Sequence, residues 1–325
     1  MKKHLFALLV IVLIVRVLQG QDVVKAAFTE SEMVLPTPTG EIFGTLTMPD
    51  GVEKPPVAII IAGSGPTDRN GNSTMGLMNN AYQMMAHRLA EHGIASLRYD
   101  KRGIAASRAG AVDESELTFD VFIGDVVSWI GLLRFGDRFN GIFVAGHSEG
   151  ATLGLIASLR TPVNGYISIA GAGRPIDQVL REQLAAQLPP AMLAESNLIL
   201  DSLKSGHLVE EVNPMLATLY RPSVQPYMIS WLKYNPAEEM AKLKIPVLIV
   251  QGTTDLQVGV DDAGRLAEAL PDAKLLLIEN MNHVLKEAGT DLQQNMGSYY
   301  DPERPLKEEL VEELVAFIRS VHPLD

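Results

Sequence analysis

The stretch Val144-Ala145-Gly146-His147-Ser148-Glu149-Gly150 decides the fold of this chain. It carries Gly-x-Ser-x-Gly between a short apolar run, Gly141–Ala145, and a segment with helical periodicity that begins near Ala151. A strand that turns sharply into a helix holds the residue at the bend in strained backbone geometry, and the two flanking glycines leave room for that turn. The hydroxyl of Ser148 is then expected at a helix N-terminus, where main-chain N–H groups stabilise developing negative charge. The pattern predicts a nucleophilic serine; the alternative is a Gly/Ser turn that occurs by chance.

Six apolar runs predict a sheet around this turn. They are rich in β-branched residues and are bounded by turn-forming segments, which is typical of strands buried on both faces of a mostly parallel sheet. They are Val57–Ala62, Ile94–Arg98, Gly141–Ala145, Gly165–Ala170, Val247–Val250 and Lys274–Ile278. Ahead of them, Glu32–Pro36 and Glu41–Met48 predict an antiparallel strand pair joined by a turn at residues 37–40.

Helical segments alternate with the predicted strands, and the alternation breaks once. The segments are Asn80–Glu91, Phe119–Leu133, Ala151–Leu159, Gly259–Leu270 and Lys307–Val321. Residues 174–234 contain helical stretches, Pro175–Leu188 and Ala191–Lys204, and no buried-strand run. The sequence therefore predicts one α/β domain over residues 21–325, a doubly wound and mostly parallel sheet with antiparallel N-terminal strands and an inserted helical cap at about 174–234.

Composition restricts the class of function. With 27 Lys plus Arg against 39 Asp plus Glu, the formal charge of −12 disfavours binding to nucleic acid or to anionic membrane surfaces. The absence of cysteine excludes a thiol nucleophile, a disulfide framework and any Cys-ligated metal site. The sequence also lacks a His-Glu-x-x-His pattern and a calcium-loop spacing, so we expect no metal and no cofactor. A small neutral substrate is the favoured ligand.

The first twenty residues are predicted to be a signal peptide. Lys2 and Lys3 precede an apolar stretch from Leu5 to Val15, and Gly20 follows a few residues later. We expect export to the periplasm or the medium, with cleavage near Gly20 and no stable membrane span afterwards. The alternative is an uncleaved N-terminal anchor, although Arg16 interrupts the apolar stretch well short of the roughly 20 residues that a span needs.

A nucleophilic serine needs a base, and chain order predicts which histidine supplies it. In folds of this kind the acid and the histidine follow the serine at the exits of later strands. Of the seven histidines, His283 follows the predicted strand Lys274–Ile278 in the required order. Asp255 follows Val247–Val250 and is the expected acid, which orients the imidazole and stabilises its charged form. Asp261 and Asp262 are the alternatives, but at the start of the next helix they fit first-turn roles.

Two N–H donors are needed for the oxyanion of an acyl-transfer intermediate. Glu149, which follows the nucleophile, supplies one by its position. The turn Ala62-Gly63-Ser64-Gly65-Pro66 is expected to supply the other, with Ser64 as the donor and Gly65 as the alternative. A phosphate-binding loop is disfavoured because the Gly-Lys-Ser/Thr ending is missing.

An aromatic cluster near the end of the predicted cap is a candidate substrate pocket. Tyr227, Trp231 and Tyr234 are spaced i, i+4 and i+7, which places them on one face of a helix. Either they line the pocket or they pack the cap onto the core, as aromatic stripes generally do.

Four motifs together resemble the EstD-type bacterial carboxylesterases. They are Gly63-Ser64-Gly65-Pro66-Thr67-Asp68-Arg69-Asn70-Gly71-Asn72, Arg98-Tyr99-Asp100-Lys101-Arg102-Gly103, Gly146-His147-Ser148-Glu149-Gly150 and Tyr300-Asp301-Pro302. The resemblance covers essentially everything after residue 30 and implies an α/β-hydrolase fold, with looser similarity to serine aminopeptidases and prolyl oligopeptidases. It further implies hydrolysis of short-chain acyl esters by Ser148, Asp255 and His283. The sequence departs from many relatives at Ala105, where they carry a second glycine, and this puts only the local loop geometry in doubt.

Three other functions stay open at the level of the sequence. A peptidase or a thioesterase would use the same three residues and the same acyl-serine chemistry. A peptidase that trims free N-termini would need an acidic group for the substrate amine, and Glu149 and Glu182 are candidates. A non-catalytic binding protein on this fold is the third, because a fold alone does not establish function. The sequence does not predict the oligomeric state or the natural substrate.

Overall fold

The computed structural model describes residues 28–74 and 76–321. The predicted signal peptide, residues 1–20, lies outside the described residues. Within those two ranges no helix has the length and apolar character required to cross a membrane.

The strands of the described chain form a single mixed sheet. They are β1 (Phe28–Thr37), β2 (Gly40–Pro49), β3 (Val57–Ile61), β4 (Ala95–Tyr99), β5 (Ile142–His147), β6 (Gly165–Ile169), β7 (Val247–Gly252) and β8 (Lys274–Ile278). Their spatial order is β1-β2-β4-β3-β5-β6-β7-β8. The β1–β2 and β2–β4 pairs are antiparallel, and the pairs from β4 to β8 are parallel. The predicted strand pair and the mostly parallel sheet are therefore confirmed.

Strands β3 to β7 are buried along their whole length because helices cover both faces of the sheet. Along β3, Val57, Ile59 and Ile61 belong to one hydrophobic cluster while Ala58 and Ile60 belong to the other. Strand β8 differs, since it is the edge of the sheet and its Leu275 and Leu277 are 39% and 47% exposed. The prediction that Lys274–Ile278 is buried on both faces is wrong, because an apolar run does not reveal whether a later strand covers its outer edge.

Helices cover both faces of the sheet, and further helices lie outside these two layers. The helices are α1 (Ala81–Glu91), α2 (Phe119–Arg134), α3 (Glu149–Arg160), α4 (Ile176–Ala185), α5 (Pro190–Lys204), α6 (Ala217–Tyr220), α7 (Gln225–Trp231), α8 (Pro236–Met240), α9 (Val260–Ala269), α10 (Leu292–Gly297) and α11 (Glu308–Ser320). Buried residues of α2, α3 and α9 join one cluster, and those of α1 and α11 join the other. Helices on both faces of one sheet make the fold doubly wound, as predicted.

An inserted cap separates β6 from β7. In the described chain this connection, residues 170–246, contains helices and no strand, and the predicted cap at about 174–234 falls within it. It has a small apolar core of its own, in which Leu200, Leu203 and Tyr220 are the most completely buried side chains. The cap contacts α2 through α7, and its Leu180 and Met228 line a cavity together with Ser148, so it stands over the end of the sheet at which β5 turns into α3.

Candidate active site

Ser148 occupies the sharp turn between β5 and α3. Its backbone has φ 56° and ψ −119°, a conformation that non-glycine residues rarely adopt. A Cβ atom on Gly146 would lie 2.1 Å from the carbonyl oxygen of Gly150, and one on Gly150 would lie 2.3 Å from the carbonyl oxygen of Ile61. Both glycines are therefore required by close approach of the backbone, and together they permit the strained turn that presents Ser148 at the N-terminus of α3.

The loops after β7 and β8 bring an acid to a histidine. The Nδ1 atom of His283 lies 2.7 Å from Oδ2 of Asp255, and both side chains are buried. The other carboxylate oxygen, Oδ1, accepts the main-chain N–H groups of Gln257 and Val258 at 2.8 and 3.0 Å. Burial raises the pKa of Asp255, but the nearby His283 and these donors outweigh it and hold the pKa below its usual value. The carboxylate is thus ionised and rigidly held.

The geometry separates Asp255 from the two alternative acids. Asp262 is fully buried in the first turn of α9, and its carboxylate binds the guanidinium of Arg174 at 2.8 Å. Asp261, its neighbour in that turn, is exposed. Of the three aspartates, Asp255 is the one that the structure brings to His283.

Ser148 and His283 line the same cavity, of about 190 Å³. The rest of its wall comes from α1 and from the loops around it: Gly63, Ser64, Thr67, Gly71, Leu77, Asn79, Ala81, Tyr82, His147, Gln257, Val284, Leu285 and Tyr299. The structure therefore brings the predicted nucleophile, base and acid together at one end of the sheet.

The Gly-rich loop after β3 runs beside the nucleophile. A Cβ atom on Gly63 would lie 3.2 Å from the Cβ of Ser148, which measures how closely the two backbones approach. Ser64 lines both cavities that reach Ser148, whereas Gly65 lines a different cavity behind the loop. Placement thus favours Ser64 over Gly65 as the partner of Glu149 in an oxyanion hole, and that role remains a prediction.

A second, apolar cavity of about 180 Å³ opens on the other side of Ser148, under the cap. Trp231 and Tyr234 line it; Tyr227 does not, and instead lines the cavity behind the Gly-rich loop. Helix α7 ends at Trp231, so Tyr234 lies beyond the helix and the predicted shared helical face is wrong for that residue. The reason is that the chain leaves the helix before Pro236.

The three aromatic rings nevertheless meet at one point of α2. Their centroids lie 5.8, 5.2 and 5.7 Å from that of Phe119 for Tyr227, Trp231 and Tyr234. Trp231 stacks almost parallel on Phe119, at 5°. The cluster therefore packs the cap onto the core, while two of its members also form cavity wall. Lining of the pocket and packing of the cap, the two interpretations of the aromatic cluster, are therefore compatible.

Sequence reasoning missed a hydrogen-bonded chain that joins the Gly-rich loop to the base. The Tyr82 hydroxyl accepts the N–H of Gly63 at 3.1 Å and lies 2.8 Å from Nδ1 of His147. The Nε2 atom of His147 lies 2.8 Å from the carbonyl oxygen of His283. The sequence offered one signal for this chain: a polar residue, His147, between the small residues Gly146 and Ser148.

A buried ion pair beside the nucleophile was also missed. Lys101 Nζ lies 2.9 Å from Oε1 of Glu149, and each side chain is 4% exposed. Lys101 therefore neutralises the negative charge of the Glu149 carboxylate, while the main-chain N–H of Glu149 lies at the start of α3.

Comparison with known proteins places the chain in a family. A family model described as serine aminopeptidase, S33, matches residues 75–287, which include Ser148, Asp255 and His283. Esterase EstD from Thermotoga maritima is 28% identical over 256 residues, covering 74% of this chain and 57% of EstD. The chain thus spans little more than half the length of this curated relative.

Solved structures show the same fold at low sequence identity. Est1E from Butyrivibrio proteoclasticus, solved with ferulic acid bound, is 18% identical over 88% of this chain and 99% of its own, with a TM-score of 0.59. The Pyrococcus furiosus esterase Pf2001 is 14% identical over 91% of this chain and 94% of its own, with a TM-score of 0.57. A puromycin-hydrolysing peptidase from Mycobacterium tuberculosis is 18% identical over 92% of this chain and 40% of its own, with a TM-score of 0.58. The fold is that of the α/β hydrolases, and the chain belongs to the serine aminopeptidase (S33) family.

Proposed function

We propose that this protein is a serine esterase that cleaves carboxylic esters of short acyl chains through an acyl-serine intermediate. The observation that carries the proposal is the hydrogen-bonded His283–Asp255 pair at the cavity that exposes Ser148. The name of the relative EstD, an esterase, supports the same reaction.

The geometry supports a two-step reaction. His283 takes the proton of Ser148 as the hydroxyl oxygen attacks the ester carbonyl carbon, and Asp255 stabilises the imidazolium that forms. The N–H groups of Ser64 and Glu149 bind the tetrahedral oxyanion. The C–O bond to the alcohol then breaks, and the alcohol leaves with the proton from His283. Water, activated by the same histidine, attacks the acyl-serine and releases the carboxylic acid.

The cavity under the cap supports a short acyl group. Its volume of about 180 Å³ is close to the roughly 150 Å³ of an apolar protein cavity that accommodates benzene. Its wall is largely apolar, with Ile176, Val179, Leu180, Leu219, Met228 and Trp231 among the lining residues. Burial of each methylene group there contributes up to about 0.8 kcal/mol until the cavity is full.

Charge around the nucleophile favours an ester over an N-terminal peptide. Among the described residues that line the two cavities at Ser148, Glu149 is the only carboxylate, and it is paired with Lys101. Glu182, the other candidate for binding a substrate amine, pairs with Arg174. An aminopeptidase would need to break one of these pairs to bind its substrate.

A substrate panel tests the proposal. We would measure kcat/KM for p-nitrophenyl esters from acetate to octanoate, for leucine p-nitroanilide and for butyryl-coenzyme A. The expected result is a maximum at a short ester, at least about 100-fold above the anilide and the thioester. A higher value for the anilide or the thioester would assign the site to peptide or thioester cleavage, and no turnover of any substrate would indicate a binding protein.

We also propose that the enzyme is exported. The support is the sequence of residues 1–20, in which two lysines precede an apolar stretch. Expression of the full chain in a Gram-negative host should yield a periplasmic protein whose N-terminus lies near Gln21. Recovery of an uncleaved chain in the membrane fraction would favour the anchor instead.

A further inference from the structure

We propose that Lys101 is a positioning residue for the oxyanion hole, whose ammonium group holds the Gly63–Ser64 peptide so that the Ser64 N–H faces the substrate. This inference rests on the proposed acyl-serine reaction and deepens it.

The side chain of Lys101 ends between two groups of the site. Its Nζ atom lies 2.6 Å from the carbonyl oxygen of Gly63 and 2.9 Å from Oε1 of Glu149. The lysine follows β4 and is 3% exposed, so water does not compete for these hydrogen bonds. A charged donor to a carbonyl in such surroundings makes a strong hydrogen bond that fixes the orientation of its acceptor.

Peptide geometry carries that orientation to the predicted donor. The carbonyl of Gly63 and the N–H of Ser64 belong to one planar trans peptide, in which the two bonds point in opposite directions. Lys101 holds the oxygen on its own side of the loop, so the Ser64 N–H points away from Lys101. Ser64 lines both cavities at Ser148, which is where the oxyanion would form.

Glu149 links the two predicted oxyanion-hole donors, the N–H groups of Ser64 and of Glu149 itself. Its main-chain N–H is the second predicted donor, and its carboxylate holds Lys101 in place. Tyr227 lines a cavity together with Lys101 and Glu149, and desolvation followed by the negative charge of Glu149 raises the pKa of its hydroxyl well above the usual value. Lys101 also lies 5.6 Å from the centroid of Phe122. The ammonium therefore has three neighbours: the Gly63 carbonyl, the Glu149 carboxylate and the Phe122 ring.

The position of the pair indicates a catalytic rather than a stabilising role. A buried ion pair recovers little free energy beyond the cost of desolvating its charges, and apolar residues of similar volume are often as stable. A preorganised N–H donor, in contrast, contributes about 100- to 1,000-fold to kcat in reactions of this type. The cation also polarises the peptide and so strengthens the Ser64 N–H as a donor.

The test compares two buried ion pairs whose cations, Lys101 and Arg102, are adjacent in the sequence. The variant Lys101→Met/Glu149→Gln removes the proposed pair without leaving an uncompensated charge; Lys101→Met and Glu149→Gln are the single changes. The control is Arg102→Met/Asp125→Asn, which removes a pair of similar burial at 2.6 Å; the other hydrogen bonds of Arg102 go to Thr37, Thr39 and the Gly110 carbonyl, away from Gly63. For each folded protein we would measure kcat and KM with p-nitrophenyl butyrate, and the rate at which a fluorophosphonate modifies Ser148.

The inference predicts that Lys101→Met/Glu149→Gln lowers kcat about 100-fold with KM within about threefold, the pattern of an interaction made only in the transition state. Glu149→Gln, which keeps an acceptor for Lys101, should lose less than tenfold, and the control should stay within about threefold. If Lys101→Met does not fold, the double variant carries the test. A kcat within threefold of wild type in the double variant, or an equal loss in the control, would overturn the inference.

Fluorophosphonate labelling separates this inference from the proposed function. The phosphonyl oxygen enters the same oxyanion hole, so labelling should slow about 100-fold in the Lys101 double variant even if esters are not the natural substrates. Wild-type protein that is labelled but hydrolyses no ester would refute the esterase proposal alone. An unchanged labelling rate in the double variant of an active esterase would refute the role of Lys101 alone.

Discussion

The Nε2 atom of His147 donates a hydrogen bond to the main-chain carbonyl oxygen of His283 at 2.8 Å. A carbonyl oxygen only accepts, so the proton of a neutral His147 is on Nε2, and Nδ1 accepts from the Tyr82 hydroxyl. Burial, and then the nearby His283 ring, lower the pKa of His147 to about 3. His147 is therefore a neutral link between the loop that carries His283 and the Gly-rich loop.

The neutral state of His147 makes stability depend on pH. Its folded pKa of about 3 lies below the roughly 6.5 of an unfolded histidine, so the unfolded chain binds more protons between these values and stability falls as pH falls through this window. Between pH 7.5 and pH 5, protonation linked to His147 should lower the free energy of unfolding by about 2 kcal/mol. Urea unfolding of wild type and His147→Gln at both pH values measures it. Equal pH dependence in the two proteins would contradict the assignment.

Asp255→Asn should lower kcat by about 10⁴-fold, because an amide cannot stabilise the imidazolium and favours the wrong tautomer of His283. The matched control is Asp262→Asn, which weakens the buried contact with Arg174 and should reduce thermal stability with little change in kcat. Steady-state kinetics and melting temperatures of both variants are the measurements. A larger loss of kcat in Asp262→Asn would mean that the acid has been misassigned.

Trp231→Leu should have two effects, because Trp231 both stacks on Phe119 and lines the cavity under the cap. We expect a loss of about 2 to 4 kcal/mol in the free energy of unfolding and a shift of the kcat/KM maximum toward longer acyl chains. Trp129→Leu is the control, since Trp129 is fully buried in the core and lines neither cavity at Ser148. An unchanged acyl profile in Trp231→Leu would leave this residue a packing role only.

The strands and the positions of the predicted catalytic residues followed from the sequence because each depends on local pattern and chain order. Apolar runs predicted the strands, and the residues at the strand exits are the ones that the structure brings together at the end of the sheet. Tyr234 was placed on a helix because spacing alone does not show where a helix ends. The exposure of Leu275 was missed because the apolar pattern does not show whether a strand lies at the edge of the sheet; that depends on the topology of the whole chain.

The polar contacts around the site could not be predicted, because they join distant segments of the chain. Lys101 meets Gly63 across 38 residues and Glu149 across 48. His147 meets the His283 carbonyl across 136 residues. A single sequence shows that such residues are polar and lie near buried strands, but it does not show which of them become partners.

Ala105→Gly should stabilise the protein by about 0.5 kcal/mol. Ala105 has φ 42°, in the left-handed region that costs an L-residue roughly 1 to 2 kcal/mol, and part of this gain is offset by the greater entropy of glycine in the unfolded chain. Ala106 is also exposed and has φ outside that region, so Ala106→Gly should destabilise. Chemical denaturation of both variants tests the difference. A destabilised Ala105→Gly would show that the loop does not carry this strain.

The nucleophilic role of Ser148 is tested most directly by the turnover of p-nitrophenyl butyrate by Ser148→Ala, measured beside Ser158→Ala. Ser158 is a buried serine on the same helix that donates to the Gly154 carbonyl at 2.7 Å, so its loss should leave kcat nearly unchanged. We expect Ser148→Ala to lose at least about 10⁴-fold in kcat while its melting temperature stays within a few degrees of wild type. Activity within tenfold of wild type in folded Ser148→Ala would contradict it.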